Sequence, residues 1–352
     1  MINTPIVLDA ATAEKGLSEA LLGAAEALRV LERPIDLHLV VYSAKEAEAL
    51  AAKSLQPQAA KFGATVTMHE AKEQVPEKVE SPVKVFRAFP DNPINTACRI
   101  ARDVNGVFIS PGNTGLVMAA ALFEMGRIPG VDRPPIATPW PTAKKTLFAL
   151  DSGANVDLRP HHLHQFAHIG KVYVERVYKR PNPVIGLLSN GSEDYKGNSL
   201  VRDAFKLLSA DNSLNFAGYI EGQNFFAGDI DLLVHEGFIG NILLKFAEGL
   251  ASTVNKMLRD EIRKSLFAAL ATSLFLRPAL RRYKKRFDYT EFGGAPLLGV
   301  KGNVVICHGR SDANAIKNAI RWGVHMVDED IAQGIAHEIA DMGLDAQAEE
   351  SA

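Results

Sequence analysis

The sequence predicts an α/β protein built on a mostly parallel sheet, and three observations carry that expectation. Short apolar, β-branched runs alternate with longer helical ones along most of the chain. Those runs are apolar almost without interruption, the pattern of strands covered on both faces. Glycine-rich polar turns (SPGNTG, DSGANVD, SNGSEDYKGN, HEGFIGN and CHGRSD) fall at the ends of the runs, where parallel sheets gather ligands. One such turn is ordinary, whereas five converging on one edge make a site.

Taken in order, PIVLDA (5–10) reads as a buried first strand and Leu17 to Leu31 as an Ala/Leu-rich helix. IDLHLVVY (35–42) is a second strand, followed by an Ala/Glu/Lys helix from about Ser43 to Phe62 and a third strand, ATVTMHE (64–70). PINTACRIARDV (93–104) is helical, GVFISPG (106–112) a strand with a turn, and Thr114 to Gly126 helical again. After a proline-rich loop around Pro134 to Pro141, TLFALDSGA (146–154) is a strand opening onto glycine, and a His/Ala-rich helix runs from about Pro160 to Tyr178. PVIGLLSNG (183–191) is a strand, Leu200 to Ser209 a helix and NFAGYIEG (215–222) a strand. IDLLVHEGFIGN (230–241) reads as a strand running into a glycine turn. NVVICHG (303–309) is a last strand, and Asp312 to Trp322 the helix behind it.

One segment breaks the alternation. From about Ala251 to Arg286 the chain is a long helical stretch with apolar residues at Leu258, Ile262, Leu266, Phe267, Leu270, Leu274 and Phe275, the spacing of one helix face. Pro278 interrupts it, amid Arg277, Arg281, Arg282, Lys284, Lys285 and Arg286. An apolar stripe beside clustered cations is the composition of a helix that docks on anionic lipid. It is equally that of a helical hairpin packed on its own body or on a second subunit with solvated cations.

The bulk composition narrows the class. The 352 residues are 47% hydrophobic and 23% charged, enough for a sizeable core, and the net charge of −2 excludes a molecule coated in cations for nucleic acid. Cys98 and Cys307 lie far apart without metal-type spacing, as buried thiols of a reducing compartment do. The N-terminal MINTPIVLDAATAEKG has neither the basic nor the apolar region of a signal peptide, and no run approaches the roughly 20 apolar residues of a membrane-spanning helix, so a cytoplasmic protein is expected.

Candidate chemistry sits in the turns. Gly112, Asn113, Thr114 and Gly115 stand just before a helix, where Asn113 or Thr114 serves as N-cap and the first-turn amides form an anion site. Lys196, beside Gly197 and Asn198 at another helix start, offers an ammonium to a phosphate or an oxyanion, or is a solvated loop lysine. His235 is a general acid or base by type and a structural residue by habit; Asn241 is an N-cap or an amide aimed at a ligand oxygen. His161, His162, His164 and His168 form no HExxH pattern and have no carboxylate at partner spacing in their helix, so no metal or other cofactor is expected and the histidines are read as exposed. GxGxxG after the first strand, GxxxxGK[ST] and GxSxG are all absent, which leaves nucleotide binding and serine hydrolysis without their anchors.

Five stretches in order, ISPGNTGLVMAA, DSGANVDLRPHHLHQFAHIG, IGLLSNGSEDYKGN, EGFIGNILLKFAEGLA and EFGGAPLLGVKGNVVICHGRSD, resemble the PlsX family of phosphate acyltransferases over most of residues 106 to 322. The resemblance implies a three-layer α/β/α Rossmann-like fold of the phosphotransacetylase kind, with a helical insertion at 256–286 in a single acyltransferase domain over 1–342 and a tail at 343–352. It implies a homodimer that moves a fatty acyl group from the thioester of acyl carrier protein to inorganic phosphate. The acyl phosphate would pass to a membrane glycerol-3-phosphate acyltransferase for phospholipid synthesis, which suits peripheral contact with an anionic membrane. Position in the motifs makes Lys196 and Asn241 the catalytic pair. It assigns Asp9, Asn113, Thr114, Gly115, Asn155, Asn198, His235, Gly293, Gly294, His308 and Ser311 to phosphate or substrate, with the Gly293–Gly294 loop as a wall of the acyl site. Two stretches depart from the family pattern. The DAMGGD-like loop reads DAATAEKG (9–16), and the KKDSS-like segment reads AFPDNPINTA (88–97). The alternative is therefore a divergent paralogue that binds acyl chains or acyl carrier protein with an altered acceptor or without catalysis.

Overall fold

Strand membership is set by which apolar runs can be covered on both sides, and two groups of runs achieve this separately. In the computed structural model, which describes residues 3–193, 195–265, 275–276, 278–279, 282–283 and 289–342, the strands form two sheets rather than one. The elements of the first half are β1 (Thr4–Asp9), α1 (Leu17–Leu31), β2 (Ile35–Val41), α2 (Ala44–Phe62), β3 (Thr65–Glu70), α3 (Pro82–Ala88), α4 (Pro93–Asp103), β4 (Val107–Ser110) and α5 (Thr114–Ala120). Then follow β5 (Thr138–Pro141), β6 (Thr146–Leu150), α6 (Pro160–Tyr178), β7 (Ile185–Ser189), α7 (Ser199–Ala210), β8 (Phe216–Glu221), β9 (Leu232–Val234) and α8 (Gly237–Arg263). The chain closes with β10 (Ala295–Leu297), β11 (Asn303–Ile306), α9 (Ala313–Asp328) and α10 (Ile331–Asp341).

The first sheet has the order β10-β11-β4-β1-β2-β3 and is parallel except for β10. Alternation along its strands makes three layers. Ile6, Leu8, Leu37 and Leu39 face one core with α1, α2 and α9, while Val7, Val40 and Phe108 face another with α4 and α5. The second sheet has the order β5-β6-β9-β7-β8 and is parallel except for β5. Its Phe148, Leu150, Leu187 and Val234 pack on α6, and its Leu147, Ala149 and Leu233 pack with Trp140 and Phe225 against the inner side of α8. β5 carries Pro139 and Pro141 at a sheet edge, where a strand need not donate on both sides.

Three expectations need correction. The five glycine-rich turns do not share one edge: SPGNTG and CHGRSD follow β4 and β11 of the first sheet, and the other three follow β6, β7 and β9 of the second. Residues 230–241 are not one strand and a turn, because β9 ends at Val234 and α8 begins at Gly237 and continues for 27 residues, through the start of the expected insertion. The histidines of α6 are not uniformly exposed; His162 and His168 are buried among carboxylates brought by other segments. Of the amphipathic stretch, Leu258 and Phe275 are solvent-exposed, whereas Leu266, Phe267, Leu270, Leu274 and the cations Arg277, Arg281, Lys284, Lys285 and Arg286 lie outside the described residues, as does the tail at 343–352.

Candidate active site

At the carboxyl edge of the first sheet, Asp9 ends β1 wholly buried. Its carboxylate accepts hydrogen bonds from the Thr12 hydroxyl, from the Thr12 amide (3.2 Å) and from Ser110 Oγ at the end of β4 (2.7 Å). Burial pushes the Asp9 carboxyl above the usual aspartate range and these donors pull it back only in part. Ser110 Oγ in turn accepts from the Gly112 amide (3.1 Å), so one chain of hydrogen bonds orders the SPGNTG turn. Asn113 caps α5, accepting from the Leu116 amide (3.1 Å), and leaves Thr114 exposed and Gly115 half-exposed on the first turn. Ser311 is buried on the neighbouring turn after β11, and its hydroxyl has no hydrogen-bond partner among the described residues. His308 is exposed there and accepts from the Arg310 amide (3.1 Å).

At the carboxyl edge of the second sheet the organising residue is Asp151, which the motif reading passed over. One of its oxygens accepts from the amides of Ile136 (3.0 Å), Gly153 (3.2 Å) and Ala154 (3.0 Å), and the other from the Asn155 amide (2.6 Å) and side chain (2.9 Å). An aspartate followed by Ser-Gly-Ala-Asn at a strand end is the sequence signature of such a self-bonded turn. Asn155 spends its amide on Asp151 and on the Pro134 carbonyl (3.0 Å), and its own carbonyl accepts from the first amide of α8, Gly237 (2.9 Å).

The start of α8 is wedged onto this turn. A Cβ on Gly240 would lie 2.0 Å from the Asp151 carbonyl oxygen and 2.5 Å from the His235 ring, and one on Gly237 would lie 2.3 Å from the Asn155 carbonyl oxygen. The glycines thus let the helix approach until Asn241 covers Gly153, whose Cβ position is 3.3 Å from that of Asn241. Asn241 is exposed and lies inside the helix, whose N-cap position is Glu236, so the N-cap reading of Asn241 is set aside. His235 is buried beneath, its Nδ1 3.2 Å from the Glu236 carbonyl. Burial pushes its pKa down to about 4 and keeps the ring neutral near pH 7.

The turn after β7, the strand beside β9, carries Lys196. The lysine is half-buried against Gly191, with its ammonium 5.3 Å from the centre of the Tyr195 ring. Asn198 caps α7, accepting from the Val201 amide (2.9 Å), and the Asn190 side chain holds the Gly197 amide (2.8 Å). The hydroxyls of Ser152 and Ser189, at the ends of β6 and β7, are buried without a partner among the described residues. Buried polar atoms are nearly always paired, and the hydroxyls of Ser152, Ser189 and Ser311 share this unpartnered state among the described residues with Asn95 Oδ1, Trp140 Nε1 and Asn303 Oδ1.

The predicted residues therefore fall in two groups: Asn155, His235 and Asn241 around the Asp151 turn and the start of α8, with Lys196 and Asn198 on the adjacent turn, and Asp9, Asn113, Thr114, Gly115, His308 and Ser311 on the other sheet. The groups meet through Ile136. Its amide donates to Asp151, its carbonyl accepts from Ser152 (3.0 Å), and it bridges to Leu297 of β10. Gly293 and Gly294 serve close packing: a Cβ on Gly293 would meet the α9 backbone at 2.2 Å, and one on Gly294 would meet Val305 at 2.7 Å and the Ile306 carbonyl at 2.8 Å. Neither cysteine offers a thiolate, since burial raises both and takes Cys307 to about 12.

Solved structures of similar shape include a phosphotransacetylase from Streptococcus pyogenes, with a TM-score of 0.59 and 15% identity over 95% of this chain and 94% of that one. A branched-chain phosphotransacylase from Enterococcus faecalis V583 also aligns, with a TM-score of 0.53 and 13% identity over 92% of this chain and 99% of that one. At such identities they establish the Rossmann-like fold alone. Sequence relatives are nearer. A phosphate acyltransferase of Syntrophotalea carbinolica is 46% identical over 269 residues, 76% of each chain. One of Nitratidesulfovibrio vulgaris (strain DP4) is 38% identical over 341 residues, 96% of each chain. The family described as "Fatty acid synthesis protein" matches residues 4–334, and with relatives of this identity along nearly the whole length, the chain belongs to that family, the PlsX family of phosphate acyltransferases.

Proposed function

We propose that the protein transfers a fatty acyl group from the thioester of acyl carrier protein to inorganic phosphate, giving acyl phosphate for phospholipid synthesis. A phosphate oxygen attacks the thioester carbonyl, the tetrahedral intermediate collapses, and the carbon–sulfur bond breaks to release the carrier's thiolate, which water protonates. A thiolate leaves readily, so the protein has only to orient phosphate against the carbonyl and stabilise the oxyanion. Lys196 and Asn241 take the second task, while Asn113, Thr114 and Gly115, with Ser311, hold phosphate. Both sheets then act as one unit over 1–342. The observation that supports this most is the wedging of α8 by Gly237 and Gly240, which fixes an otherwise unremarkable exposed amide, Asn241, over the Asp151 turn. In this reading Thr12 and Ser110 order Asp9 where the family's glycine loop would stand.

The test is consumption of long-chain acyl carrier protein with and without phosphate, with acyl phosphate trapped by hydroxylamine. Turnover requires phosphate and disappears in Lys196→Ala. Turnover independent of phosphate refutes the assignment. Binding of the carrier without acyl phosphate selects the divergent paralogue instead.

The outer side of α8 supports two further parts of the proposal. Phe238, Ile242, Phe246, Leu250, Val254 and Met257 are all exposed, in steps of four and then three residues, and form an apolar band that winds partly round the helix over about 29 Å. Exposed contiguous apolar surface of this kind marks an interaction site. We assign the stripe to a second copy of the chain. The basic segment beyond it is assigned to an anionic membrane carrying the glycerol-3-phosphate acyltransferase that takes the product. No described helix is long and apolar enough to cross a membrane.

A further inference from the structure

We propose that His164, His168 and Asp211 form a zinc site that ties α7 to α6, away from the turns assigned to acyl transfer. His164 and His168 are one helical turn apart on α6, and both present Nε2 to the same oxygen of Asp211, the C-cap of α7, at 2.7 and 2.9 Å. The three donor atoms lie within 4.8 Å of one another. Zinc bound about 2.0–2.1 Å from each donor in tetrahedral geometry needs donors about 3.3 Å apart, so the group opens by roughly half an ångström to admit it. Two neutral imidazoles and one carboxylate, with water in the fourth position, are a common zinc ligand set.

What separates this group from a chance meeting of polar residues is that its members are held from behind. The other Asp211 oxygen accepts from the Ser213 amide (2.9 Å) and hydroxyl (2.6 Å). His168 is buried, and its Nδ1 faces Glu338 of α10 at 2.8 Å; Lys171 donates to that same Glu338 oxygen at 2.9 Å. A histidine that gives its Nδ1–H to a carboxylate has its Nε2 lone pair fixed toward a metal, the usual support of zinc-ligating histidines. A second group, Asp132, His161 and His162, lacks this support. His162 already uses Nδ1 to accept the Arg159 amide (2.9 Å), its Nε2 is 3.7 Å from Asp132, and the His161 and Asp132 side chains are 43% and 48% exposed. The sequence gives no hint of the first group because its carboxylates come from 43 and 170 residues beyond His168.

The experiment uses the untagged full-length chain, stripped with chelator and titrated with Zn²⁺ against a chromogenic zinc competitor. One equivalent binds to the parent and to Asp132→Asn. Asp211→Asn and, independently, His164→Ala weaken binding by at least about 100-fold, and Glu338→Gln by about 10- to 100-fold. His164 is partly exposed, so its variant keeps the fold if the Asp211 change does not. Failure of the parent to compete for zinc overturns the proposal, and so does affinity unchanged in His164→Ala. Acyl transfer is not measured, so the outcome is independent of the functional assignment.

Discussion

Replacing Gly240 by alanine adds one carbon at the most confined point of the site. That carbon would stand 2.0 Å from a backbone oxygen and 2.5 Å from the His235 ring, and neither is the free end of a flexible side chain. Restoring ordinary contact means moving the first turn of α8 outward by about 1.5 Å. Overpacking of this order costs about 1–3 kcal/mol of stability. Under the proposed function the larger effect is on chemistry, since Asn241 travels with the turn, and misplacing a catalytic group by about 1 Å costs about 100-fold in rate. Gly249, on the same helix, is the control: its Cβ position is open, and alanine there should add about 0.5–1 kcal/mol of stability with the rate unchanged. Both variants are assayed by phosphate-dependent release of the carrier thiol and by thermal melting. A Gly240→Ala protein with the parent's rate and melting temperature would refute the claim that close approach of α8 positions Asn241.

Three more predictions follow from other parts of the structure. Burial lowers the His235 pKa from 6.5 to about 4, so the unfolded chain binds the extra proton across that interval. The melting temperature should therefore fall as pH falls from 6.5 toward 4, and His235→Gln should flatten that slope in melts taken at half-unit steps; an equal slope contradicts a buried neutral ring. Asp151→Ala leaves three loop amides and Asn155 without an acceptor, each unsatisfied group costing about 1–3 kcal/mol. Denaturant titration should show a loss of several such increments, and a loss below one of them would remove Asp151 from its organising role. Phe246→Asp, on the exposed stripe, should convert the proposed dimer to a monomer in light scattering without lowering the melting temperature of the isolated chain; a variant of unchanged mass excludes the stripe as the dimer contact.

Local pattern sufficed for elements with strong periodicity. Leu17–Leu31 and Pro160–Tyr178 stand where apolar spacing and flanking residues place them. It failed where local signals compete. Leu-Leu-Val-His-Glu-Gly-Phe-Ile-Gly looks like one extended apolar run ending in glycines, yet Gly237 and Gly240 sit inside a helix because only a residue without Cβ allows that helix to touch the Asp151 turn. Sheet membership was illegible because alternation of strand and helix does not say which strands pair; a buried run satisfies its amides equally well in either sheet. The glycine-rich turns themselves were legible, and the Asp-Ser-Gly-Ala-Asn run that makes Asp151 a turn organiser is local, but the burial of Ser152 and Ser189 without partners among the described residues depends on segments distant in sequence. The histidines of α6 misled for the same reason, their carboxylate partners being distant in sequence.

The length of α8 has a mechanical consequence. Its 27 residues make a stiff rod about 40 Å long, anchored at one end by Gly237 and Gly240 against the Asp151 turn and bare along its outer side. The anchor is a fulcrum and the bare length a lever arm. Under the proposed function, whatever seats that arm, another subunit or a lipid surface, would also set the tilt at which Asn241 is presented, and docking and alignment would share one degree of freedom.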